Sequence, residues 1–257
     1  MSARLQLRTS QGSRRGRLAW ALGVALALGA CERATKSVPT LVQMAAEDDV
    51  KASGLRLMDA PLGLHRLDTT HPDPPRVVIG VHGFESKGYE WVQPLRMLGD
   101  AGARVYFFRW DWTQCPGPAA DTLIEAMDAM LRAGPMPSRV ELVGHSYGGV
   151  IAAMVASRHQ RDGRLEVDTI AAPLAGMGGL DERCNYTGPP APADNVVLRQ
   201  WRTRQELDGA FRDLPTDPQI VDLPGEVVEL PETYDGKRLG HNWSVSWVVE
   251  HRLAGAH

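Results

Sequence analysis

The chain has 257 residues, 43% hydrophobic and 23% charged, which fits one globular domain and excludes a long disordered or repetitive protein. The formal charge is −3 and the body of the chain carries no basic stripe, which argues against nucleic acid as a partner. The charge is uneven: residues 1–30 hold Arg4, Arg8, Arg14, Arg15 and Arg17 and no acid, and without these five arginines −3 becomes −8.

A basic start on an acidic chain reads as an address rather than as part of the fold. Arg14, Arg15 and Arg17 precede an unbroken apolar run from Leu18 to Ala30, the length of a signal-peptide core and short for a bilayer span. The run ends in Leu28-Gly29-Ala30-Cys31, which resembles a bacterial lipobox. That resemblance implies cleavage before Cys31 and lipidation of its thiol. The expected organisation is a lipoprotein-type signal over 1–30, a flexible tether over 31–50 and a folded domain over 51–257. The expected location is the cell envelope, membrane-anchored through the lipid. The alternatives are a secreted or periplasmic chain with an ordinary signal, or a retained N-terminal anchor. Glu32 is not a strong inner-membrane retention signal, which favours the outer membrane.

Within the domain, Arg76–Val81 reads as a buried strand after the turn residues Pro72, Pro74 and Pro75. Residues 89–99 have helical spacing, with Trp91, Leu95 and Leu98 on one face. Residues 103–108 read as a second strand. The stretch 119–133 reads as a helix striped by Leu123, Met127, Met130 and Leu131 and stopped by Gly134-Pro135. Residues 139–143 are a third strand and 148–159 an alanine-rich buried helix. Further strands are expected over 167–171, 195–201 and 226–230, and a terminal helix over 243–253. Strands alternating with helices predict an α/β fold on a mostly parallel sheet, with ligands beyond the strands' carboxyl ends.

One of those ends carries Gly144-His145-Ser146-Tyr147-Gly148, a G-x-S-x-G run between strand and helix. Side chains at Gly144 and Gly148 would strike neighbouring backbone, and the tight turn presents the serine hydroxyl near a helix N-terminus. A second end carries His82-Gly83-Phe84. Together these resemble the α/β-hydrolase superfamily, in its lipase and esterase branch, over roughly residues 76–250. The resemblance implies the α/β-hydrolase fold, Ser146 as nucleophile, and the backbone N–H groups of Phe84 and Tyr147 as an oxyanion hole. The His-Gly-Gly-Gly run of one esterase subgroup is missing. Ser146 in the elbow disfavours relatives with a carboxylate nucleophile, such as epoxide hydrolases. His82 and His145 read as structural.

The family order of serine, acid, histidine points to His241, after the last strand, as the base. His159 comes too early, His251 falls on the last helix, and His257 on the chain end. The favoured acid is Asp208, in an Asp-Gly pair after the strand that follows the nucleophile's strand by two; Asp181, Asp235 and Glu206 stay open.

Trp110 and Trp112, at the same rim, either line the pocket or pack the sheet edge. Residues 176–194, rich in glycine and proline, form a lid or specificity loop without an amphipathic helix. Cys115 and Cys184 follow strands at this rim, and in an oxidising compartment they form a possible disulfide, two free thiols being the alternative. The implied activity is cleavage of a carboxylic ester through an acyl-enzyme, on a small-molecule or lipid ester, without metal or organic cofactor. Thioesters, amides and acyl transfer use the same apparatus. The reading from another class is a non-catalytic binding or scaffold protein of the envelope.

Overall fold

The computed structural model describes residues 37–68, 76–161 and 163–255. The segment 1–30, Cys31, His257 and the turn around Pro72 lie outside the described residues. In chain order the elements are α1 (Leu41–Ala46), α2 (Val50–Met58), β1 (Gly63–Arg66), β2 (Arg76–Val81), α3 (Tyr89–Asp100), β3 (Arg104–Arg109) and α4 (Pro116–Arg132). They continue with β4 (Arg139–His145), α5 (Tyr147–Arg158), β5 (Leu165–Ile170), α6 (Gly179–Cys184) and β6 (Val196–Arg202). Last come β7 (Glu226–Glu229), the hairpin β8 (Thr233–Tyr234) and β9 (Lys237–Arg238), and α7 (Ser244–Ala254). Among the described residues no helix is long and apolar enough to cross a membrane.

Seven strands form one sheet in the order β1-β3-β2-β4-β5-β6-β7, parallel except for β1, which runs antiparallel to β3. The strands alternate between two cores because successive side chains point to opposite faces. Val77, Ile79 and Val81 of β2 pack with Leu123 of α4 and Ile151 of α5. Val78 of the same strand joins the other core, with Trp91 and Leu95 of α3 and Val245 and Val248 of α7. Trp91 and Leu95 are fully buried, each such side chain contributing about 2 kcal/mol of burial free energy.

Charge is also buried under the sheet. Glu141 on β4 stands opposite Glu166 on β5, an arrangement that repels unless compensated. Arg139 lies 3.1 Å from both carboxylates, Arg199 lies 2.8 Å from Glu166, and Arg252 of α7 lies 2.8 Å from Glu141 and also bonds Asp168. The end of α7 is thereby fastened to the two strands beside the sheet's centre.

The start of the body departs from expectation. The sequence predicts a tether over 31–50, but Leu41–Ala46 forms a helix. Thr40 and Gln43 make a reciprocal capping box, and Met44 is wholly buried in the core that holds Trp91. Asp49 caps α2 through the N–H groups of Lys51 and Ala52, so packed structure begins before residue 51. β1 is an added edge strand. Its four residues are too few for a period of two to stand out. Within the loop expected over 176–194 there is a short helix, α6, anchored by the buried Leu180.

Candidate active site

β4 runs into α5 through a turn so tight that Ser146 adopts φ 54° and ψ −124°. That conformation costs a non-glycine residue about 1–3 kcal/mol and persists only where its surroundings fix it. Here the Ser146 N–H donates to the Ile170 carbonyl at 2.8 Å, tying the turn to β5. A Cβ on Gly148 would come within 2.2 Å of the Val81 carbonyl oxygen, and one on Gly144 within 2.3 Å of the Gly148 carbonyl oxygen. Gly83 does the same service from β2: a Cβ there would stand 2.9 Å from the Ser146 Cβ.

The N–H groups of Phe84 and Tyr147 both lie beside this turn. Among the described residues neither is given to an acceptor. The Tyr147 amide is the first of α5, whose opening turn has no intrahelical acceptor for it. The Phe84 ring packs edge-on against Trp112 at 5.1 Å and tilted against Tyr147 at 5.9 Å, which fixes the loop that carries its amide.

His241 sits between the β8–β9 hairpin and α7, held in three ways. Its Nδ1 lies 2.9 Å from Oδ2 of Asp208. Its backbone carbonyl accepts from His145 Nε2 at 3.0 Å and from the Ser244 hydroxyl. Its ring meets Phe211 edge-on at 5.0 Å. Asp208 is fully buried; it also accepts from Thr203 Oγ1 at 2.5 Å and from the Ala210 N–H at 2.8 Å. Burial pushes the Asp208 carboxyl up, but the His241 contact and these two donors outweigh burial and hold it below the ordinary carboxylate range.

Of the four acids left open by the sequence, the structure brings Asp208 to His241. Asp181 lies on α6, Glu206 is exposed in the short 3₁₀ turn Gln205–Leu207, and Asp235 is exposed in the tip of the β8–β9 hairpin. His82 and His145 are buried, and burial lowers each pKa to about 3, so both rings are neutral. His82 accepts the Trp110 N–H at 3.2 Å, while Trp110 Nε1 donates to the His82 carbonyl at 2.8 Å. Trp110 is therefore a packing residue, stacked on His82 and Tyr147, and Trp112 supports Phe84. His251 stacks on Trp247 within α7, and His159 ends α5.

Ser146 and His241 line two cavities in common. One, of about 430 Å³, is mostly apolar and is walled by Tyr147, Met177, Leu180 and Phe211. The other, of about 100 Å³, is polar and is walled by Ser86, Glu90 and Asn242. A third cavity, of about 180 Å³, lies by the opposite ends of the strands, against Val140 and Leu165, away from Ser146. Cys115 and Cys184 are joined in a disulfide with Cα atoms 5.6 Å apart. The bridge ties the start of α4 to α6, whose Leu180 and Arg183 wall the larger cavity. Thr203, Phe211, Ser86 and Glu90 went unread in the sequence, because their roles depend on neighbours distant along the chain.

The sequence profile of the alpha/beta hydrolase family matches residues 78–250. The chain belongs to the α/β-hydrolase family. A search of curated proteins finds no match. Among solved structures it resembles a candidate hydrolase from Agrobacterium vitis S4, with TM-score 0.52, 12% identity, and coverage of 76% of this chain and 97% of the other. It also resembles an α/β serine hydrolase without a lid from Xanthomonas campestris, with TM-score 0.48, 14% identity and coverage of 75% and 85%. The esterase domain of a Rhodothermus marinus protein matches with TM-score 0.47, 18% identity and coverage of 75% and 90%. At 12% identity the likeness to the Agrobacterium vitis structure is one of fold alone.

Proposed function

We propose that the protein cleaves carboxylic esters through an acyl-enzyme, with Ser146, His241 and Asp208 as its catalytic residues. The observation that carries this reading is the 2.9 Å contact between His241 Nδ1 and the buried Asp208, on a histidine that shares its cavities with the strained Ser146. A carboxylate at Nδ1 keeps the proton there and leaves Nε2 as the base. Ser146 Oγ attacks the ester carbon as Nε2 takes its proton. The carbonyl oxygen gains charge and is received by the N–H groups of Phe84 and Tyr147; losing one such donor costs about 3 kcal/mol in the transition state. The C–O bond then breaks and the proton passes from His241 to the leaving alcohol. Water, deprotonated by the same nitrogen, releases the acid and restores Ser146. The apolar lining of the larger cavity supports an acyl chain as its occupant.

The full-length protein should react with a fluorophosphonate probe, and Ser146→Ala should abolish that labelling while His241→Ala reduces it sharply. A folded protein that does not label would overturn the reading and favour a binding role. The lipobox-like residues 28–31 support a further proposal, that Cys31 is lipidated and tethers the enzyme to a membrane of the cell envelope.

A further inference from the structure

The two cavities beside Ser146 differ in chemistry, and the difference divides an ester into its two halves. We infer that the small polar cavity receives the alcohol part of the ester, and that Ser86, Glu90 and Asn242 select alcohols bearing hydroxyl groups. This rests on the ester-hydrolase reading above. During acylation the bond from Ser146 Oγ to the acyl carbon forms and the ester C–O bond breaks. The leaving oxygen takes the proton that His241 received from Ser146, so the alcohol must leave from beside His241. Both cavities reach His241, so the choice between them rests on their chemistry; the polar one is bounded also by the next residue, Asn242.

Its wall is built to meet hydroxyls. Glu90 lies in the first turn of α3, and its side chain is buried, only 8% exposed, yet it borders the cavity. The Ser86 hydroxyl donates to Glu90 Oε1 and accepts from the Gly88 N–H at 3.0 Å, which fixes both side chains. The Glu90 carboxyl, with roughly four lone-pair sites, accepts from Ser86 and from the backbone N–H groups of Glu90 and Gly88, which leaves room for a ligand; Ser86 keeps a lone pair, and the Asn242 amide both donates and accepts. Burial pushes the Glu90 carboxyl up, against the hydrogen bond from Ser86. Such a set matches a hydroxyl, which is itself donor and acceptor. The exposed Glu85 and Lys87 on the same wall offset each other's charge, so the polar groups rather than a net charge set its preference. A volume of about 100 Å³ suits a short polyol, such as a glyceryl group.

Alcohols that enter this cavity can also intercept the acyl-enzyme in the reverse of acylation, which gives a test. The full-length protein is supplied with p-nitrophenyl butyrate and equal concentrations of glycerol, 1-propanol or choline, and the butyrate esters formed are measured. Glycerol is expected to capture about tenfold more acyl group per hydroxyl than propanol, the worth of one good hydrogen bond. In Glu90→Leu and Ser86→Ala the ratio should fall towards one. Equal capture of glycerol and propanol overturns the assignment, and so does preferential capture by choline. Fluorophosphonate labelling of the same samples separates the two readings. Labelling with a flat acceptor profile overturns the alcohol site alone, whereas no labelling and no p-nitrophenol release overturn the esterase reading and the site with it. If Glu90→Leu does not fold, the acceptor profile of the unmodified protein decides.

Discussion

Replacing Asp208 with asparagine keeps the shape of the side chain and removes its charge. The hydrogen bond from His241 Nδ1, at 2.9 Å in a buried setting, is charge-assisted, and its loss accounts for about 1.5–3 kcal/mol. The larger effect is on the tautomer. An amide at 208 can turn its NH₂ towards Nδ1, and the ring proton then moves to Nε2, the nitrogen that must accept from Ser146. Together these lower kcat by on the order of 10⁴, about 5.5 kcal/mol of transition-state stabilisation. The assay is steady-state hydrolysis of p-nitrophenyl butyrate, with a thermal melt to verify folding and Asp181→Asn, Asp235→Asn and Glu206→Gln measured in parallel. The three parallel variants should stay within a few-fold of the unmodified protein. A loss below tenfold in Asp208→Asn, or a larger loss in Asp181→Asn, would refute this assignment.

Asp208 also leaves a mark on stability. Its carboxyl is held below the ordinary value of 3.8, so its contribution is complete above that pH and is lost as the pH falls below it. The Tm difference between the unmodified protein and Asp208→Asn should be constant near neutrality and shrink in strong acid; a difference that grows in acid contradicts the sign. Removing the disulfide with Cys115→Ser and Cys184→Ser should destabilise the fold by about 2–4 kcal/mol in denaturant titration. Because α6 walls the larger cavity, the same variant should raise KM more than it lowers kcat, and a selective loss of kcat would count against that role. Cys31→Ala should move the protein from the membrane fraction to the soluble fraction of the envelope, and unchanged sedimentation with membranes would count against lipidation at Cys31.

The central strands were legible because they are fully buried. Arg76–Val81 contains no break, is bounded by turn residues, and forms β2 over those same residues. The elbow was legible for a related reason: its glycines are forced by contacts that any turn of that shape must make. α1 and α2 are hard to read because, at six and nine residues, they carry too few turns for a helical period to stand out. Even so, Thr40 and Gln43 carried the spacing of a capping box. Asp208 is placed by its position after a strand and by an Asp-Gly pair that Asp181 lacks but Asp235 shares, so nothing local separates it from Asp235. What distinguishes it is Thr203 and the Ala210 N–H on one side and His241 on the other, a convergence that exists only in the folded chain.

Ser146 owes its backbone pose to partners on both sides of it in the chain. Val81 and His82, made long before it, close around Gly148, and Ile170, made after it, holds its amide. His241 follows later still. A chain emerging from the ribosome therefore carries an ordinary serine. The strained pose comes into being only with the finished sheet, so any reactivity that depends on it is absent until the chain has folded.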